Sequence, residues 1–129
     1  MTRALLRHLA DLLYFRHHGH GLPTRSSAVT WGLVALVVLL GVVSSRGLLG
    51  MAVVFVACAY MPNAPQGSRW QAVTGLSLLW SAEQLVHIAT LLALDAGPAA
   101  DAISVTAVLW TSVAMVPFLG RTILRREAR

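Results

Sequence analysis

The sequence predicts an all-α protein, an integral membrane four-helix bundle with an N-terminal amphipathic surface helix. Three observations carry that expectation. Charged residues make up 12% of the chain and hydrophobic residues 57%, with a mean hydropathy of +0.69. A soluble domain carries about twice that share of charge, so this chain has too little polar surface to cover a globule in water. Between Thr30 and Leu119 the only charged residues are Arg46, Arg69, Glu83, Asp95 and Asp101. The intervening stretches hold four apolar runs, and runs of about 17–25 residues match a bilayer core of roughly 30 Å.

Residues 1–27 form the first element, a surface helix and an elbow. In "TRALLRHLADLLYFRHH", Arg3, Arg7, Asp11, Tyr14 and His18 recur at helical spacing, and Leu5, Leu6, Leu9, Leu12 and Leu13 fall on the other side. That is an amphipathic helix with a basic face, in which Arg7 and Asp11 stand at the pairing distance i, i+4. At a membrane surface its leucines would enter the acyl boundary, with Arg3, Arg7, Arg16 and Arg25 among the headgroups. A helix docking on a protein partner uses the same stripe. Gly19 and Gly21 are the expected helix stop, and Leu22-Pro23 the turn into the first span.

The membrane domain, residues 28–124, divides at charged and turn-forming residues. The first span covers 28–43 and stops at "SSRG"; the second covers 48–61 and stops at "PNAPQGSR", where prolines end any helix. Both are short, so a re-entrant hairpin over 28–61 competes with two crossings. The third span, 70–94, is long enough to cross with tilt, and the fourth, 102–119, carries Pro117 near its end. Residues 125–129 are a basic tail. The lone Cys58, inside span two, reads as a small apolar residue. The first apolar run begins too far from the start to be expected as a secretion signal.

All ten basic residues are arginine, a composition that hints at a bacterial source. Four precede the first span, four follow the last, and Arg69 lies between spans two and three; Arg46 alone falls on the other side, with Asp95 and Asp101. The positive-inside rule then places both termini in the cytoplasm of a multi-pass protein of the bacterial inner membrane. The basic balance is explained by topology and contact with anionic membrane lipid, so nucleic acid is not expected as a partner.

"YFRHHGHGLP" gathers His17, His18 and His20 in the elbow. Three imidazoles are a weak metal candidate, because zinc sites draw ligands from separated segments and need further groups to orient them. The preferred reading sets these side chains among lipid phosphates, with no metal. "LLYFRHHGHGLP", with Leu12, Leu13, Arg16, Leu22 and Pro23, and "RWQAVTGLSLL" from Arg69 resemble small, largely uncharacterised Yip1-like proteobacterial membrane proteins. The resemblance implies a helical membrane bundle and no catalytic mechanism.

One chemical cluster lies inside the third span. In "WSAEQLVHIAT", Trp80, Glu83, His87 and Thr90 share a helix face, with Gln84 beside it. Charged side chains cost about 2.5–3.5 kcal/mol at the centre of a membrane helix, so Glu83 should face protein or water. His87 stands where it can share the Glu83 charge. The favoured role is an interhelical clamp bonded to Ser104 or Thr111 on span four, where Ser104, Ala107, Thr111 and Ala114 make a small-residue stripe suited to close helix approach. A proton or cation pathway is the alternative, and haem or quinone binding a further one, although no second intramembrane histidine completes a bis-His haem site.

Paired carboxylates, a nucleophile triad and a phosphate-binding glycine loop are all missing from the sequence, so no enzyme is expected. These readings converge on a non-catalytic accessory or scaffold subunit of a bacterial inner-membrane complex. Its partners would be other membrane subunits or further copies of itself. A small oligomeric transporter or channel is the runner-up.

The topology is directly testable. Reporter fusions after Arg69 and after Arg129 should read cytoplasmic, and one after Gly97 periplasmic; a periplasmic reading at Arg129 would remove the even number of crossings.

Overall fold

The computed structural model describes residues 1–17, 20–43 and 66–123. They form four helices and, among the described residues, no strand: α1 (Thr2–Leu13), α2 (Ala28–Val43), α3 (Gln66–Leu94) and α4 (Pro98–Ile123). The all-helical class is therefore as expected. The second span at 48–61, Cys58 and the tail at 125–129 lie outside the described residues, as does the choice between a hairpin and two crossings.

At 1.5 Å per residue, α3 and α4 run about 43 Å and 39 Å, and α2 about 24 Å. α3 and α4 are long and apolar enough to cross a membrane, whereas α2, at 16 residues, is a shorter apolar helix. α3 starts four residues before the expected Trp70, and α4 reaches beyond 102–119 at both ends. The first extension of α4 follows from Pro98, whose fixed φ and missing N–H suit the first helical position. Asp101 sits in that first turn, where a carboxylate complements the helix dipole. Pro117 lies within α4, which continues past it to Ile123.

α1 is shorter than its sequence pattern. It ends at Leu13 because Phe15 takes the left-handed conformation (φ 59°), and the chain closes with Phe15 N–H donating to the Leu12 carbonyl and Arg16 N–H to that of Asp11. That double closure is the arrangement in which a glycine usually holds the left-handed position. Phenylalanine stands here with its ring packed on Trp110, centroids 5.3 Å apart. α4 completes the cap: the Trp110 indole N–H donates to the Leu13 carbonyl at 3.1 Å, and the Arg121 guanidinium donates to the Phe15 carbonyl. Carbonyls left over at the helix end are thus satisfied from another helix.

α3 lies between α2 and α4 and touches all three other described helices; α1 packs on both α3 and α4. The leucine stripe of α1 faces protein, which corrects the picture of leucines dipping into lipid. Leu12 is 1% exposed, and Leu5, Leu9 and Leu13 pack against the same core, leaving Leu6 outside. The core joins these to Leu33 and Val37 of α2, Leu76, Leu79 and Trp80 of α3, and Ala114, Met115 and Phe118 of α4.

The packed helices bury polar side chains beside the apolar core and turn many aliphatic ones outward. Thr30, Ser68, Thr74, Ser77, Ser81, Glu83, Gln84, Ser104 and Thr111 are buried, while Leu39, Val42, Leu92, Val105, Leu109, Val113 and Val116 face outward. Buried hydroxyls bond mostly at short range, as Thr74 to the Trp70 carbonyl, Ser81 to Ser77 and Thr122 to Phe118. A hydroxyl pair joins α2 to α3, Thr30 Oγ1 to Thr74 Oγ1 at 2.8 Å, and Thr30 also meets Ser27, whose Oγ accepts the Thr30 N–H at the start of α2.

At Gly75 the Phe118 ring of α4 lies directly against the α3 backbone. A Cβ built there would lie 2.3 Å from Phe118 Cζ, and Phe118 is itself buried. Gly75→Ala should therefore destabilise the fold by about 1–3 kcal/mol through overpacking, read as a lowered unfolding midpoint, and Phe118→Leu in the same chain should restore much of the loss. An unchanged midpoint in Gly75→Ala would show that the helices separate freely.

Candidate functional site

The seam between α3 and α4 holds the chemistry. α3 is covered on several sides, so residues on more than one of its faces are buried: Glu83 is 2% exposed and Gln84 1%. The expected five-residue cluster divides accordingly. Trp80 belongs to the hydrophobic core, and Thr90 is buried with its hydroxyl donating to the Val86 carbonyl at 2.7 Å. Glu83 and His87 are the members directed at α4 contacts.

His87 reaches across the seam. Its Nδ1 lies 2.8 Å from Ser104 Oγ, a bond in which either the ring or the hydroxyl is the donor according to the tautomer. Ser104, Thr111 and Ala114 are buried and Ala107 half-buried, so the small-residue side of α4 is the side turned to α3. Small side chains there let the backbones approach closely enough for a bond between side chains on the two helices.

Glu83 lines a cavity of about 470 Å³ beside this bond. Its walls are Ala82 and Val86 of α3 and Ala102, Ile103, Thr106, Ala107 and Thr111 of α4, with Leu13 and Trp110 also lining it. Apart from Glu83 the wall offers only the two threonine hydroxyls and the indole, and the Thr106 hydroxyl is already given to the Ala102 carbonyl. Trp80, Gln84 and His87 do not line the cavity.

The elbow forms a second polar locus, in which His17 is drawn into the protein instead of standing out at the surface. His17 is 5% exposed and sits 2.8 Å from His8, Nε2 to Nδ1, with its ring edge-on to Phe118. His20 is exposed, and His18 lies outside the described residues. Among the described residues no group of three or more His, Cys, Asp or Glu side chains is placed to hold a metal ion. His8 was not legible as a site residue, because a nine-residue separation across a helix end has no periodic signature. Arg3, Arg7 and Arg16 converge on the same pocket as these histidines, whereas Arg25 lines a different one with Thr24, Ser26, Gly67 and Trp70.

No family model, curated relative or solved structure matches the chain.

A double-mutant cycle over His87→Ala and Ser104→Ala should give a coupling of about 0.6 kcal/mol, the usual size of such interhelical bonds, and at most about 1.7 kcal/mol. Zero coupling would mean that the two side chains do not hold α3 and α4 together.

Proposed function

We propose that the chain is a non-catalytic accessory or scaffold subunit of a bacterial inner-membrane protein complex, built as a membrane-spanning helical bundle. The observation that carries this reading is the placement of polarity: hydroxyl, amide and carboxyl side chains are buried between helices beside the apolar core, while many aliphatic side chains face outward. In water such an arrangement forfeits hydrophobic burial and desolvates polar groups. In a bilayer the outward aliphatic groups meet acyl chains, and inward polar groups find partners on neighbouring helices.

The His87–Ser104 bond supports a holding role at the seam rather than a chemical one. α4 also presents aliphatic side chains outward along its length, and α3 does so over its C-terminal end from Leu85 to Leu94, a surface on which other membrane subunits or further copies can pack. The positive-inside distribution of arginine supports cytoplasmic termini. A second reading has one observation in its favour: the cavity beside Glu83 places a carboxyl group on an otherwise apolar wall, as a small transporter or channel would need.

Glu83→Gln separates the two. As a holding residue, Glu83 is replaceable by an amide of similar shape, so the variant should assemble and function near the wild-type level, while Glu83→Ala loses assembly. An amide cannot titrate, so a pathway residue would give a well-assembled but inactive Gln variant. Purification in mild detergent gives the independent check. Stoichiometric partner subunits are the expected result, and a pure homo-oligomer that moves protons or cations in vesicles would replace the scaffold with the transporter.

A further inference from the structure

The elbow pocket has the composition of an anion site. It measures about 530 Å³ and is lined by Arg3, Arg7, His8 and Asp11 of α1 and by Arg16, His17 and His20 of the following loop. Three guanidinium groups against one carboxylate leave it with an excess of positive charge even with every imidazole neutral. Arg3 and Arg7 stand one helical turn apart on α1 and so project to the same side. Arg16 and His20 come from the chain after the helix has ended, so the pocket exists only because α1 stops at Leu13 and the chain turns back.

Its inner side is built rather than incidental. His17 is buried, held by the 2.8 Å bond to His8 and by the Phe118 ring of α4, which anchors the loop to the bundle. The opposite side of His8 is set by Gly21. Its φ is +81°, which favours glycine, and a Cβ there would lie 2.9 Å from His8 Cε1, so a larger residue would strain the turn and press on the histidine. Buried imidazole backed by converging guanidinium forks is suited to an anion with several oxygens in fixed geometry, because each fork donates two parallel N–H groups to a pair of oxygens.

We propose that this pocket binds a phosphate monoester, with Arg3, Arg7 and Arg16 as its charged donors and the His8–His17 pair as its supporting wall. The phosphate belongs either to a phosphatidic-acid-type lipid headgroup or to a small soluble phosphate ester; the pocket chemistry is common to both. Asp11, i+4 from Arg7, is the single carboxylate in the lining and is outnumbered by the three guanidinium groups. The site exists whether or not the helices cross a bilayer, so its failure leaves the scaffold reading untouched and the reverse also holds.

The test uses the purified full chain with two probes, glycerol 3-phosphate titrated calorimetrically in detergent and phosphatidylcholine vesicles with or without phosphatidic acid. The expected result is one phosphate per chain for at least one probe. Saturation by glycerol phosphate assigns a soluble ligand, and retention of phosphatidic acid alone assigns the headgroup. Arg7→Gln and Arg16→Gln should each weaken binding by about tenfold, the loss of one charge-assisted contact. Arg7→Lys, which keeps the charge and loses the fork, should give a smaller loss. Gly21→Ala should also weaken binding although it removes no charge, whereas Arg25→Gln, equal in charge change but outside the pocket, should leave it unchanged. Helical content by circular dichroism confirms that each variant is folded, and the Lys variant carries the test if a Gln variant is not. An equal loss in Arg25→Gln, or no stoichiometric binding of either probe, would overturn the proposal.

Discussion

α3 turns hydrogen-bonding side chains to its neighbours, and bonds to α2 and α4 meet part of that demand, while the Ser68 and Ser77 hydroxyls stay buried without a hydrogen-bond partner among the described residues. On the α2 side Thr74 meets Thr30, and on the α4 side His87 meets Ser104. Glu83 and Gln84, adjacent in sequence and buried together, require cover around a wide arc of the helix. A helix with polar groups on several faces cannot stand alone in an apolar surrounding, because each uncovered group forfeits its partner. The central position of α3 follows from that requirement.

Close approach makes these short side-chain bonds reachable. Gly75 admits the Phe118 ring, and Ser104, Thr111 and Ala114 keep α4 thin where it lies on α3. Phe118 then serves twice, since its ring also meets His17 from the elbow. Packing at the α3–α4 seam is thereby connected to the position of the histidine pair, although the two lie in separate pockets.

α1 is attached by its C-terminal end rather than by its length alone. Trp110 and Arg121 of α4 take the Leu13 and Phe15 carbonyls, and Phe15 accepts a left-handed backbone in exchange for packing on Trp110. A non-glycine residue in that conformation costs of order 1 kcal/mol, which the ring contact and the two donated bonds offset. Leu13 therefore sits beside Trp110 and Glu83 at the same cavity, and the basic face of α1 is left to line the pocket at the elbow.

By itself the sequence determined the helical class, the bounds of α2 from Ala28 to Val43, and the polar stretch that carries Glu83 and His87. Those features depend on local composition: apolar runs, turn residues and a 3.6-residue period are properties of contiguous segments. It did not determine where α1 ends, since the glycines at 19 and 21 signalled a later stop and the observed stop at Phe15 depends on donors about a hundred residues away. Nor did it join His8 to His17, or Thr30 to Thr74, whose meeting requires separate segments to be packed. The leucine stripe of α1 shows the same division. Its amphipathic period was plain, but lipid and protein both satisfy an apolar face, and only the docking of α1 on α3 and α4 decided which one does.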